Sequence, residues 1–255
     1  MNLHLDETLG INYKSESQKI RVMSEYWLVS NQYCPCCANP NLVKLKNNEP
    51  VADIKCDNCG EIFELKSKKG NIGNKINDGA YLSMIERIKS DTNPQLFIMQ
   101  YSSNYKVTDL TFIPKFFFVP EFIEKRKPLS SNAKRAGWTG CNILYSKIPE
   151  QGKIKIINNG NIKSIDETVE EYQHIKKIKT NNLDSQGWLF DILTCINNIE
   201  SDEFTLQDMY LYVDELQKKH INNHNIKAKI RQQLQFLRDK GFIEFLERGY
   251  YKKII

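Results

Sequence analysis

The spacing of apolar residues predicts helices and strands in alternation along the first two thirds of the chain. We predict a helix over 17–29 whose apolar side is Ile20, Met23 or Ser24, Trp27 and Leu28. Glu25 falls on its polar side. Strands are predicted over 51–55, 61–66, 95–101, 107–113 and 153–157, with a hairpin turn at 158–160 and a second helix over 78–89. This pattern is typical of a mixed α/β domain.

The pattern changes after a polar segment over 176–187, which we interpret as a linker between domains 1–183 and 184–255. Three helical stripes follow. They contain Trp188, Ile192, Cys195, Ile196 and Ile199, then Met209, Tyr212, Val213 and Leu216 after Thr205, then Ile226, Ile230, Leu234 and Leu237. Gly241 ends the third helix, and 242–245 and 250–253 form a hairpin around Arg248 and Gly249. Three helices and a hairpin are the arrangement of a winged-helix domain.

The amino-acid composition excludes few classes of function. The 255 residues carry a net charge of +5, which permits nucleic-acid binding without requiring it. Apolar runs are all too short to span a bilayer, and Met1 to Leu9 lacks the apolar core of a secretory signal. We therefore expect a cytoplasmic protein. Basic runs include Lys68 and Lys69, although such runs are often only solvated surface.

Five of the seven cysteines lie within 26 positions, which favours a metal site over disulfides. Cys34-Pro-Cys-Cys37 and Cys56-Asp-Asn-Cys59 are two C-x-x-C pairs separated by 18 residues, a spacing typical of structural four-cysteine zinc sites. Cys36 either competes with Cys37 for the ion or points outward, and we favour the second. Cys141 and Cys195 are predicted to be small buried hydrophobic residues.

A second motif overlaps the second cysteine pair. Asp53 ends one predicted strand, and Glu64-Leu-Lys66 follows after ten residues in the next. The strand period of two places Glu64 and Lys66 on one face and turns Leu65 to the core. This D…(D/E)xK pattern indicates a nuclease in which Asp53 and Glu64 hold Mg²⁺ and Lys66 orients or deprotonates the attacking water. Taken alone, the pattern also fits a solvated edge strand.

Longer segments resemble the DpnI-type methyl-directed restriction endonucleases from end to end. The matching segments are 51–59, 63–70, 77–81, 126–129, 135–142, 230–234 and 237–241. The resemblance implies a PD-(D/E)xK nuclease core with an inserted four-cysteine zinc site, followed by a winged helix. Carried onto this chain, it assigns catalysis to Asp53, Glu64 and Lys66, and zinc to Cys34, Cys37, Cys56 and Cys59. Cys36 departs from the usual knuckle.

What the resemblance implies about substrate is more specific. Members of the family cut double-stranded DNA at GATC only when its adenine carries an N6-methyl group, using Mg²⁺, and both domains recognise the methylated site. We therefore expect a bacterial, cytoplasmic enzyme that acts on methylated DNA as a monomer. We do not expect it to bind a membrane.

Residues that read the DNA are predicted from their chemistry. An N6-methyl group requires an apolar or aromatic surface in the major groove. Trp138, in a loop with Arg135 and two glycines that permit close approach of backbone to DNA, is our candidate, and a core tryptophan is the alternative. In the third C-terminal helix the outer side carries Lys227, Arg231, Gln232 and Gln235. Arg248 would contact the DNA backbone from the wing.

Two other functions fit parts of the pattern. A non-catalytic regulator built from a zinc ribbon and a winged helix would keep the cysteines and the third helix, but the intact Asp53, Glu64 and Lys66 argue against it. An RNA-directed nuclease would share the metal chemistry and differ only in its substrate.

Overall fold

The computed structural model describes residues 1–45 and 52–254, so Val51, the first residue of one predicted strand, lies outside the described residues. The chain forms two compact units. Unit 1 contains Met1–Ile148 and Gly152–Ile175, and unit 2 contains Pro149–Gln151 and Lys176–Ile255. No helix in the described part of the chain is both long enough and apolar enough to span a bilayer.

Unit 1 contains two sheets, three α-helices and several short 3₁₀-helices among the described residues. In chain order its elements are α1 (Glu16–Asn31), β1 (Leu42–Lys44), β2 (Ile54–Cys56), β3 (Ile62–Lys69), β4 (Ile76–Ala80), α2 (Tyr81–Lys89), β5 (Gln95–Tyr101), β6 (Val107–Ile113), β7 (Ile123–Lys125), β8 (Gly140–Ile143), β9 (Ile154–Asn158), β10 (Asn161–Ile162) and α3 (Ile165–Lys176). The large sheet has the order β1-β2-β3-β5-β6-β9-β10, and the small one β4-β8-β7. The predicted α/β class is confirmed.

The centre of the large sheet is nearly continuous apolar sequence, as expected for strands buried on both faces. β5 and β6 have the predicted bounds. β3 is parallel to β5, and every other pair in this sheet is antiparallel. The buried rings of Phe63, Phe97 and Phe112 stack across β3, β5 and β6, with centroids 5.2 and 5.5 Å apart. Tyr172 of α3 extends this row, 5.8 Å from Phe112.

Two predictions at the edges of this unit have different outcomes. The turn after β9 is confirmed as a hairpin, because Asn159 and Gly160 take positive φ angles of 49° and 79° and Asn158 pairs with Asn161. The helix predicted over 78–89 is wrong at its start. Asp78 lies in β4, where it pairs with Cys141 of β8, and the helix begins at Tyr81.

Unit 2 contains the predicted helices and hairpin with one additional strand. Its elements are α4 (Leu183–Asn198), β11 (Glu203–Thr205), α5 (Leu206–Tyr210), α6 (Val213–Lys219), α7 (Ile226–Asp239), β12 (Ile243–Glu247) and β13 (Tyr250–Lys253). β11 pairs with β13 to make a three-stranded sheet. The apolar stripe of α7 is buried as predicted, and Gly241 follows the helix with φ 78°.

The sequence pattern misplaced two boundaries in unit 2. Half of the predicted linker is helical, because α3 ends at Lys176 and α4 begins at Leu183, which leaves 177–182 between them. Asn182 caps α4 by accepting a hydrogen bond from the Ser185 amide. The predicted second helix is two short helices. A reciprocal capping box between Thr205 and Asp208 begins α5. Tyr212, with φ −88° and ψ 2°, then separates α5 from α6.

The aromatic row gives a test of this core. Phe97→Ala removes a fully buried ring that contacts both Phe63 and Phe112, so the free energy of unfolding should fall by about 3–5 kcal/mol. Leu82→Ala, at an exposed position of α2, is the control and should change it by less than about 0.5 kcal/mol. Urea unfolding followed by circular dichroism measures both. Equal losses would contradict this assignment of the core.

Candidate active site

The two cysteine pairs form matching turns. In the first, the Ala38 amide donates to the Cys34 carbonyl (2.9 Å), and in the second the Gly60 amide donates to the Cys56 carbonyl (3.1 Å). Both Ala38 and Gly60 take positive φ angles, 62° and 74°. Each turn therefore directs two thiol groups to the same side.

The four sulfur atoms of Cys34, Cys37, Cys56 and Cys59 lie within 4.8 Å of one another. Two of the Sγ–Sγ distances are 3.6 Å, between Cys34 and Cys59, and 3.7 Å, between Cys37 and Cys56. Zinc–sulfur bonds of about 2.3 Å in a tetrahedron would place the sulfurs about 3.8 Å apart. The cluster is therefore compatible with Zn²⁺ and leaves no position for a substrate.

Cys36 is not part of the sulfur cluster, but the prediction that it points outward is wrong. It is buried, and its carbonyl accepts a hydrogen bond from the side-chain amide of Gln173 on α3. The first turn thus packs against α3. The spacing of the cysteines in the sequence does not indicate this contact. Cys141 and Cys195 are buried, as predicted.

The second turn joins the two strands that carry the predicted acidic residues. Ile54 of β2 pairs with Phe63 of β3, and the Asp53 amide donates to the Phe63 carbonyl (3.0 Å). Asp53 and Glu64 are therefore adjacent across the hairpin. The Asp53 carboxylate accepts a further hydrogen bond from the Leu65 amide (3.1 Å). Both acidic side chains line one cavity of about 340 Å³.

Lys66 projects to the same face as Glu64, as the strand period predicts. Its Nζ lies 2.5 Å from Glu64 Oε1 and 2.7 Å from Asp78 Oδ1. Burial opposes the charge of Lys66, but the two carboxylates outweigh it and raise its pKa, so the side chain is an ammonium ion at neutral pH. Burial raises the pKa of Glu64, and Lys66 partly offsets that effect. Leu65, which was predicted to turn to the core, is half-buried.

The carboxylates suit a hard divalent cation. In residues 1–45 and 52–254, no third carboxylate joins Asp53 and Glu64 in a cluster as tight as that of the cysteines. Mg²⁺ is commonly bound by one or two carboxylates, retaining waters and binding phosphate oxygens. Asp53 and Glu64 therefore fit Mg²⁺ better than a metal that requires a closed set of protein ligands.

A chain of charges from α1 reaches the same site, and the sequence pattern missed it. Arg21 Nη2 lies 3.6 Å from Asp53 Oδ1, and its Nε donates to Glu25 Oε1 (2.6 Å). Lys44 Nζ lies 2.7 Å from the other oxygen of Glu25. Glu25 is buried, which corrects its predicted place on the polar side of α1. Two cations balance its charge there, and the i,i+4 spacing from Arg21 was the available signal.

The Trp138 loop is closed on itself. The Leu129 amide donates to the Trp138 carbonyl (2.9 Å), and the Gly137 amide donates to the Leu129 carbonyl (3.0 Å). The indole is half-buried, and the Arg135 guanidinium lies over it at 4.7 Å. Gly140 leaves room for the indole, because a Cβ at this position would lie 2.9 Å from the ring. Gly140 thus also has a packing role inside the loop, which the sequence pattern did not indicate.

The other residues predicted to contact DNA are all exposed: Lys68, Lys69, Arg135, Lys227, Arg231, Gln232, Gln235 and Arg248. Tyr210 of α5, which the sequence pattern did not select, organises two of them. Arg231 Nη1 donates to its hydroxyl (2.6 Å), and Lys227 Nζ lies 4.9 Å from its ring centroid. One tyrosine thus orders two cations on the outer side of α7.

Comparison with protein families gives two matches. A model of the DpnI family, described as the Dam-replacing family, matches residues 1–181. A second model, described as the Dam-replacing HTH domain, matches residues 184–253. The first match includes both cysteine pairs, Asp53, Glu64 and Lys66, and the second includes α7 and the hairpin.

The sulfur cluster predicts that the chain holds one Zn²⁺. Cys59→Ser should lose most of this metal, because a structural zinc site needs all four thiolates. It should also unfold at a lower temperature, since metal binding and folding are coupled. Cys36→Ser is the matched control and should keep the metal. Elemental analysis of the purified proteins measures the content. Loss of zinc from Cys36→Ser but not from Cys59→Ser would contradict the ligand set.

Proposed function

This chain belongs to the DpnI-type, Dam-replacing family of methyl-dependent restriction endonucleases, and we propose that it cuts double-stranded DNA at GATC sites carrying N6-methyladenine by Mg²⁺-dependent hydrolysis. The observation that carries this proposal is that Asp53 and Glu64 line one cavity and that Lys66 Nζ contacts Glu64 beside it. A non-catalytic regulator would have no need of this arrangement.

In the proposed reaction, water attacks the phosphorus of a phosphodiester, the bond to the leaving oxygen breaks, and the proton that the water loses passes through solvent to the leaving oxygen. Asp53 and Glu64 would hold Mg²⁺, which supplies Lewis-acid stabilisation of the phosphate. Asp53 is pre-positioned, because the Leu65 amide and Arg21 contact its two oxygens. Lys66, as an ammonium ion, would donate to the water or to a phosphate oxygen and offset the negative charge that develops there.

We propose that residues 1–183 contain the nuclease and that residues 184–255 form a second DNA-reading domain. The polar outer side of α7 suits the major groove, where lysine and arginine bind phosphate or guanine and glutamine binds adenine. Four side chains of α7 are exposed for this purpose: Lys227, Arg231, Gln232 and Gln235. Because the two readers belong to one chain, a modest preference in each gives a larger preference in the whole.

A requirement for methylation needs an apolar surface where the methyl group lies. Burial of one methyl carbon contributes about 0.8 kcal/mol, and a palindromic site offers two. The half-buried indole of Trp138 provides such a surface in unit 1, and Arg135 beside it offers a charge for the DNA backbone. We propose Trp138 as the residue that contacts the methyl group in this unit.

The proposed function is tested with duplexes that contain one GATC site, either methylated or unmethylated. Wild-type protein with Mg²⁺ should cut only the methylated duplex. Glu64→Gln should slow cutting by roughly 100-fold or more, as loss of a preorganised charge does, while leaving duplex binding intact. Glu61→Gln is the matched control, since Glu61 lies on the same hairpin but pairs with Lys115. Equal cutting of both duplexes by wild type, or full activity of Glu64→Gln, would contradict the proposal.

The two kinds of DNA contact predict different binding changes in the cleavage-deficient Glu64→Gln background. Trp138→Ala should reduce the ratio of affinities for methylated over unmethylated duplex, because it removes the apolar surface. Arg231→Ala should weaken binding to both duplexes and lower the salt slope by about 1, because it removes a phosphate contact. Fluorescence anisotropy at several salt concentrations measures both. An unchanged affinity ratio for Trp138→Ala would show that Trp138 does not recognise the methyl group.

A further inference from the structure

Asp78 is a buried carboxylate beside the proposed catalytic residues, yet it lies outside the D…(D/E)xK pattern. Only 7% of its side chain is exposed, and Oδ1 lies 2.7 Å from Lys66 Nζ. The same oxygen accepts a hydrogen bond from the Gly79 amide (2.7 Å). Asp78 also lines the cavity that contains Asp53 and Glu64. A carboxylate is rarely buried so far without a charge partner, and here that partner is Lys66.

The position of Asp78 in β4 directs its side chain towards Lys66. β4 belongs to the small sheet and pairs with β8, where Asp78 faces Cys141 and Ala80 faces Gly140. The register shifts between these two pairs, so Gly79 forms a bulge next to Asp78. Bulges redirect neighbouring side chains and are frequent beside active sites. Lys66 is thus held from the small sheet by Asp78 and from its own strand by Glu64.

The two carboxylates that contact Lys66 have different roles in the proposed reaction. Glu64 and Asp53 would hold the divalent cation, whose positive charge would weaken the attraction between Glu64 and Lys66. Asp78 Oδ1 is already engaged by the Gly79 amide and by Lys66, and two carboxylates suffice for Mg²⁺. It therefore remains as the contact that fixes the ammonium group.

We propose that Asp78 is a positioning residue that holds the Lys66 ammonium group in place for phosphodiester hydrolysis. This inference rests on the proposed function. Asp78 touches neither the substrate nor the cation in this account. It acts only through Lys66.

The test is single-turnover cleavage of the methylated duplex at saturating DNA and Mg²⁺. Asp78→Asn keeps the size of the side chain and an oxygen for the Gly79 amide, but removes the charge that holds Lys66. The cleavage rate should fall by roughly 10- to 100-fold, as for other residues that orient a catalytic group. Duplex affinity and the Mg²⁺ concentration for half-maximal rate should stay at their wild-type values, and the melting temperature should stay well above the assay temperature.

Glu124→Gln is the matched control. Glu124 lies on β7 of the same small sheet, and its carboxylate is 2.6 Å from Lys75 Nζ. Because it does not contact Lys66, this variant should cleave as the wild type does. If wild-type protein cleaves no methylated duplex, the proposed function fails first. If the wild type cleaves and Asp78→Asn cleaves equally fast, the positioning role alone is wrong.

Three further outcomes for Asp78→Asn would also overturn the inference. A rate that recovers at higher Mg²⁺ concentration would make Asp78 a cation ligand. A loss of duplex affinity would place it in DNA binding. A lowered melting temperature accompanied by an equal rate loss in Glu124→Gln would show only a damaged sheet.

Discussion

The candidate active site depends on the way the four sulfur atoms close the hairpin of β2 and β3. Cys56 ends β2 and Cys59 lies just before β3, so a metal ion held by them fixes the turn between the two strands. Asp53 lies three residues before Cys56, and Glu64 five residues after Cys59. A structural metal can therefore set the position of both acidic side chains without entering the chemistry.

The rest of unit 1 holds this hairpin from three directions. Phe63, next to Glu64 in β3, stacks on Phe97 and so ties the strand to the core. Arg21 on α1 contacts Asp53. In the small sheet, Asp78 of β4 contacts Lys66. β8 of the same sheet begins at Gly140, and the Trp138 ring packs against this glycine. The strand pair that supports the proposed catalytic lysine thus also supports the proposed methyl-reading loop.

Local patterns predicted the parts of the site whose residues recur at short, regular spacings in the sequence. Ligand spacing identified the cysteines, and the strand period placed Lys66 beside Glu64. Asp78 was missed because its contact with Lys66 joins two sheets, and nothing in the local sequence marks it as a strand residue. Glu25 was misplaced because helical periodicity counts charge as exposure, whereas Arg21 and Lys44 balance it inside. β11 was missed because its partner, β13, is distant in sequence.

Hydrogen exchange at the Leu65 amide tests most directly whether the metal-closed hairpin positions the acidic residues. This amide donates to Asp53, so its protection reports the contact between the two strands. Removal of the metal with a chelator should accelerate exchange at Leu65, with the amide of Tyr251 in unit 2 unchanged, and adding Zn²⁺ back should restore protection. Equal protection of Leu65 in the metal-free and zinc-loaded proteins would show that the metal does not position Asp53 against β3.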